Sequence, residues 1–329
     1  MIGRRRFIGG VGFSLIALPL MIAAQDQAKV RLIGCLLAWR GTADEEAHYI
    51  GAMVEGLRAL GWGEGRNLKI EYRSAENRPE LYDQLARELV ALNVDLIVAV
   101  SVNGVTAAKN ATNSIPIVML AVPDPVKFGL VASLARPGGN VTGQALPAID
   151  WGKWLELAHQ TVAGLSRVAV IANPSNRVYA DYVAQNEAAA QRLGLRLQML
   201  PVARADQIDE AFAAIKREKA GALVVGPDSL YSSRMQEISD RASTSRLPLI
   251  GPNRRAAEFG ALIGYGYDFR NAWRGVAVYI DRILRGVKPS DLPVEQANKF
   301  ELVVNVKTAK ALGISIPQSV LLRADEVIQ

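Results

Sequence analysis

The chain has 329 residues, half of them hydrophobic and 21% charged, with a formal charge of +6. That balance, close to the roughly 25% charged residues of ordinary soluble proteins, excludes a disordered, fibrous or wholly membrane-embedded chain, and the length points to two lobes of roughly 100–200 residues each. One cysteine and two histidines leave no material for an intrachain disulfide, a zinc site or a histidine-based triad.

Residues 1–25 read as an export signal. Arg4, Arg5, Arg6 and Phe7 precede the uncharged stretch VGFSLIALPLMIAA, which is shorter than the about 20 apolar residues of a spanning helix. Paired arginines, one further residue and Phe match the twin-arginine pattern, which exports folded proteins; an uncleaved anchor is the alternative. Without that stretch 35 basic residues face 32 acidic ones, a balance of +3, and no basic run remains to form a nucleic-acid patch.

The strand candidate VRLIGCLLAW carries the single cysteine, Cys35. Although LIGC resembles a lipoprotein signal, Lys29 and Arg31 interrupt the apolar run upstream, so Cys35 is read as a small core residue. DEEAHYIGAMVEGLRALG follows, with Ile50, Met53, Val54, Leu57 and Leu60 at helical spacing and Gly61 as the stop. LKIEYR is the next strand and RPELYDQLARELVALN the next helix, Pro79 at its start. DLIVAV and IPIVML have the near-continuous aliphatic pattern of parallel strands covered on both faces.

After GGNVTG the pattern begins again with RVAVIANPSN, a helix over about 179–193, Gly194 and LRLQML. GALVVG, LPLIG and ALIGYG supply further strands, and DFRNAWRGVAVYIDRILRG is a capped amphipathic helix that crosses back to the first lobe. The fold class is therefore α/β, with two similar lobes, each a parallel sheet flanked by helices. Residues 26–145 with 268–290 make the first lobe, and 146–267 with 291–329 the second.

Ligands of open parallel sheets bind beyond the carboxyl ends of the strands. The residues there are Trp39 and Arg40; Ser101 and Asn103; Asp124; Asn173, Ser175 and Asn176; Asp228 and Ser229; Asn253; and Tyr267 with Asp268. Carboxylates, amides and aromatic faces in this mixture suit a small polar or zwitterionic molecule and offer no activated nucleophile. Asp124 stands between Pro123 and Pro125, which stiffen its backbone, and is assigned to the ligand. Asp268 reads equally as a helix N-cap, Asn173 as a turn former before Pro174, and Trp39 as core or as cavity wall. GWGEG lies between helix and strand, so it is not a dinucleotide fingerprint.

The stretches GLRALGWGEGRNLKIEYRSAENRPE, LARELVALNVDLIVA, IPIVMLAVPDPVKFGLVASLARPGGNVTG and KFELVVNVKTAKALGISIPQSVLLRADEVI resemble the substrate-binding proteins of bacterial ABC transporters, in the subfamily related to tryptophan- and tyrosine-binding members. The resemblance implies a type I periplasmic-binding fold, two hinged lobes closing on a small-molecule ligand, a periplasmic location, and delivery to a membrane permease with its ATPase subunit. It implies no cofactor, no metal, no enzymatic activity and no nucleic-acid partner, and a monomer that meets the membrane only through the permease. Asp124 matches the aspartate of the family's DPV segment and Asp228 that of its PD segment. The chain departs from the family at Val102 to Val105, where many relatives have a small-residue turn, and at Pro123, so an amino-acid-like ligand is favoured without its identity. A ligand sensor serving a membrane receptor and a periplasmic α/β enzyme are the alternatives.

Overall fold

In the computed structural model of the chain the described residues are 30–38, 41, 43–146, 150–296 and 299–329, those at 43–47 as backbone only; the stretch read as an export signal lies outside them. Thirteen strands are described: β1 (Arg31–Leu37), β2 (Leu68–Ser74), β3 (Leu96–Val100), β4 (Ile117–Pro123), β5 (Val141–Leu146), β6 (Arg167–Ala172), β7 (Arg196–Pro201), β8 (Ala222–Val225), β9 (Leu249–Gly251), β10 (Ile263–Tyr267), β11 (Glu295–Gln296), β12 (Phe300–Asn305) and β13 (Glu326–Ile328).

They form two sheets, in the orders β11-β5-β4-β3-β1-β2 and β7-β6-β8-β9-β10-β12-β13. The winding β2-β1-β3-β4-β5 is repeated as β7-β6-β8-β9-β10, all of it parallel. Parallel strands need helical crossovers that cover both faces, which is why β8, Ala-Leu-Val-Val, is buried at every position. The single cysteine follows the same logic: Cys35 on β1 is fully buried, and burial pushes its thiol up to about 12.

One pairing departs from the parallel pattern. β12 runs antiparallel to β10, with Phe300 opposite Tyr267. The cause is the path of the chain, which leaves the second sheet at the end of β10, visits the first lobe and returns beside its point of departure, so β12 has to run away from it. The visit consists of the helix Phe269–Leu284 and then β11, which pairs with β5. Residues 295–296 therefore sit in the first sheet, whereas the sequence reading placed all of 291–329 with the second.

The helix Phe269–Leu284 lies against the helix Ala43–Ala59 so closely that a Cβ on Gly56 would stand 2.8 Å from the Ala277 Cβ. Trp62 Nε1 donates to the Asp281 carboxylate at 2.8 Å and secures the far end. The chain thus passes between the sheets three times, after β5, after β10 and after β11. Two of these passages are tied together: the Asp268 N–H donates to the Lys299 carbonyl at 3.1 Å, and Lys299 Nζ reaches the Asp268 carboxylate at 3.3 Å. Among the described residues no helix is long and apolar enough to cross a membrane.

A bulge shapes the site edge of the first sheet. The register of β4 against β5 shifts between Met119 and Val122, leaving Ala121 at φ +59°. Such bulges re-aim a strand end, and this one is accommodated by Gly143, at φ +127°, where a Cβ would run into the Met119 backbone. Gly143→Ala is expected to destabilise the protein by about 1–3 kcal/mol, the usual cost of overpacking, read as a lower midpoint in denaturant unfolding.

Candidate functional site

Both sheets present their carboxyl ends to a shared cavity of about 250 Å³. Eight of the residues singled out from the sequence line it: Ser101 and Asn103 from the first lobe, and Asn173, Ser175, Asn176, Asp228, Ser229 and Asn253 from the second. They cluster because each sheet reverses its winding there, between β1 and β3 and between β6 and β8, and crevices open at such switch points.

Asp228 is the electrostatic centre of the cavity. Its Oδ1 accepts from Asn173 Nδ2 at 3.2 Å and from the Leu230 N–H at 2.9 Å, and its Oδ2 accepts from Asn176 Nδ2 at 3.0 Å. Both amides are themselves fixed, since Asn173 Oδ1 accepts from the Ser175 N–H and Asn176 Oδ1 from the Val178 N–H. Burial raises the Asp228 pKa above the usual carboxylate value, opposed by the bonds from Asn176, Leu230 and Asn173. No cation among the described residues pairs with it.

Across the cleft, Ser101 opens the helix Ser101–Ala111 at φ +70°. Val100, at the cap position, contributes no side-chain bond, and Ser101 Oγ accepts from the Gly104 N–H at 3.4 Å, so the N–H groups ahead of Gly104 are the ones the first turn offers to an anion. Tyr82 is hydrogen-bonded to Ser101, and its pKa is pushed up to about 12, chiefly by burial and also by the charge of Asp228 on the opposite lobe. A second donor stands at Arg255, which lines the cavity with its guanidinium 4.7 Å from the Phe259 ring centre and Nη1 on Glu258 at 3.1 Å; its Nε is buried without a hydrogen-bond partner. Aromatic rings supply much of the remaining wall, among them Tyr49, Trp151, Phe269 and Trp273.

The other candidates fall elsewhere. Asp124 is exposed and not part of the lining: at φ +41° its Oδ1 accepts from the Lys127 N–H at 3.0 Å, so the carboxylate closes a turn. The prolines do make the segment rigid, but the turn directs the acid outward. Tyr267 is buried in the hinge, its ring 5.4 Å from Phe269 and 6.4 Å from Phe300. Asp268 caps the helix Phe269–Leu284 through the Asn271 N–H at 3.0 Å and binds Lys299. Both sit at a strand end, but at the one where the chain leaves for the other lobe. Trp39 and Arg40 lie outside the described residues.

Sequence reasoning missed Asn77, Tyr82 and Arg255. Asn77 lies three residues beyond β2, whose end was not counted among the strand ends, and Tyr82 lies on the next helix. Among the described residues no group of three or more His, Cys, Asp or Glu is placed to hold a metal.

The two lobes also touch. Asn77 Nδ2 donates to Ser233 Oγ at 3.2 Å, and Lys127 pairs with Asp181. The lobes are thus closed over the cavity.

A sequence model of the family described as ABC transporter substrate binding protein matches residues 44–328. The chain belongs to that family. Substrate-binding proteins are not a class of enzyme, in keeping with a cavity that offers hydrogen bonds and apolar walls. This family member is 30% identical over 261 residues to a tyrosine-binding protein of Clostridioides difficile, covering 79% of this chain and 75% of the relative. It also resembles a Streptococcus pneumoniae ABC domain solved in complex with L-Trp, with a TM-score of 0.80 and 26% identity over 91% of this chain and 99% of the other. Against the ligand-free, open structure of a Clostridium difficile substrate-binding protein with adhesive properties, the TM-score is 0.63 at 27% identity, over 91% and 100%. Identity is nearly equal in the two cases, and the closer match to the ligand-bound relative agrees with the bonds that join the lobes here.

The raised Asp228 pKa has a consequence for stability. Between the ordinary carboxylate value and the raised native one, the folded protein holds a proton that the unfolded chain has released, so stability falls as pH rises through that window. Denaturant unfolding of the ligand-free protein across a pH series is expected to show this decline, and Asp228→Asn to lack it. Identical pH profiles for the two proteins would contradict the burial of a charge at this position.

Proposed function

We propose that this chain is the extracytoplasmic binding component of an ABC importer for a small amino acid with an aromatic side chain. The observation that carries the proposal is Asp228, a carboxylate at the cavity wall with three hydrogen-bond donors and no cation among the described residues. Burying such a charge is costly unless it is paired, and the α-ammonium group of a ligand supplies the missing partner.

The rest of the zwitterion finds complementary groups. Its carboxylate meets the N–H groups ahead of Gly104 in the first turn of Ser101–Ala111 and the Arg255 Nε, which has no hydrogen-bond partner among the described residues, and its side chain lies against the aromatic wall. The volume, about 250 Å³, is below the roughly 300–1,000 Å³ of drug-sized pockets and suits a single amino acid. The tyrosine-binding relative and the L-Trp complex support the same ligand class.

In this reading the ligand acts by favouring closure. It touches Asp228 on one lobe and the Ser101 turn on the other, so its contacts are complete only when the lobes meet. A ligand shifts the equilibrium only by its differential affinity for the two states. The closed form then delivers the ligand to a membrane permease driven by its ATPase subunit, after export of the chain, a monomer, to the periplasm through the twin-arginine signal in residues 1–25.

Titration calorimetry with L-tryptophan and L-tyrosine tests the reading. Asp228→Asn is expected to weaken the bound amino acid by about 2–5 kcal/mol, the range for truncating one partner of a buried charge pair. Full-strength binding by the variant would remove Asp228 from the site, and failure of the unmodified protein to bind either amino acid would remove the ligand class.

A further inference from the structure

Asn77 lines the same cavity as Asp228 from the other lobe, and one of its polar atoms bears on the ligand. It lies in the turn after β2, where Glu76 and Asn77 both adopt positive φ, +49° and +58°, and its N–H donates to the Ala38 carbonyl at 2.9 Å. Its Nδ2 crosses the cleft to Ser233 Oγ. Its Oδ1 is buried with no hydrogen-bond partner among the described residues, although the residue lines the cavity.

The orientation of this amide follows from proton accounting. Ser233 has a single hydroxyl proton, which it donates to the Leu230 carbonyl at 2.7 Å. Toward Asn77 the Ser233 oxygen therefore only accepts, so the Asn77 amino group faces Ser233 and the carbonyl oxygen is the free end. A buried acceptor left unpartnered destabilises the protein, and the group that relieves it has to be a donor.

Ser233 belongs to the short helix Ser229–Ser233, and that helix is capped by Asp228. Asn77 thus grips the same turn of chain that carries the carboxylate. We propose that Asn77 is an amine-reading latch: its Nδ2 holds the second lobe through Ser233, and its Oδ1 accepts a hydrogen bond from the ligand ammonium group bound to Asp228. This rests on the ammonium reading of Asp228 and extends it to the first lobe. Two acceptors from opposite lobes then share one cation, so closure is strongest for ligands with a free amine, and an amine-free analogue of equal shape leaves both acceptors unsatisfied.

The test compares L-tryptophan and L-tyrosine with the des-amino form of each, which keeps the ring and the carboxylate, by calorimetry on the intact protein, Asn77→Ala and Ser233→Ala. The unmodified protein is expected to prefer the amino acid. Asn77→Ala is expected to reduce that preference by about tenfold or more, the effect of one hydrogen bond to a charged group. Ser233→Ala loosens the latch but keeps the ligand acceptor, so it is expected to weaken both members of a pair by the same factor and preserve the preference. An undiminished preference in Asn77→Ala, whether affinity is unchanged or falls equally for both forms, overturns the role of Asn77 while leaving the amino-acid reading in place. Absence of binding by the unmodified protein overturns that reading and this proposal together.

Discussion

A carboxylate that has no counter-charge among the described residues organises the cleft. Asp228 is desolvated by its position at the end of β8, and the sequence surrounds it with donors that do not neutralise it: two asparagine amides from the end of β6 and one backbone N–H from the helix it caps. Those three bonds hold the oxygens in place, but the charge remains, and its field reaches Tyr82 on the opposite lobe. A site built this way is less stable alone than with a cation in place, which is the free-energy difference a binding protein needs in order to respond to its ligand.

The repeated winding of the two sheets places that charge where both lobes can act on it. Each sheet has its switch point at the same step of the pattern, and the two crevices face one another because three passages of chain connect the lobes on one side. The hinge is reinforced by the bonds between Asp268 and Lys299 and by the rings of Tyr267, Phe269 and Phe300. Across the opening the direct contacts are modest. Lys127 and Asp181 are substantially exposed, and exposed ion pairs contribute only about 0–1 kcal/mol. The amide of Asn77 is the more directional contact, and it meets the helix that carries Asp228. Weak direct contacts fit the proposal that the ligand decides between open and closed.

Much of this architecture is legible in the residues. The aliphatic runs, the glycine stops and the restart after GGNVTG disclose a doubled parallel α/β fold, because strands buried on both faces admit few other side chains. The antiparallel β12 is not legible, since its direction depends on where the chain re-enters the sheet and not on its own residues. Reading the strand ends brings Ser101, Asn173, Asn176 and Asp228 to one cavity, because geometry rather than residue type puts them there. The same reading fails for Tyr267 and Asp268, whose strand end is a lobe crossing. Asp124 shows a further limit: two prolines signal rigidity, but the direction in which a rigid turn points is set by backbone torsions, here a positive φ. Asn77 escapes notice because β2 is an edge strand, away from the switch point between β1 and β3 where a crevice is expected.

Small-angle X-ray scattering of the signal-free protein, titrated with L-tryptophan and with L-tyrosine, is the most direct test of ligand-driven closure. Closure around an amino acid requires that at least one of the two convert the sample to a single, more compact form whose scattering matches the closed arrangement described here, with saturation at one ligand per chain. A profile unchanged by either amino acid, or compaction that never saturates, would contradict it.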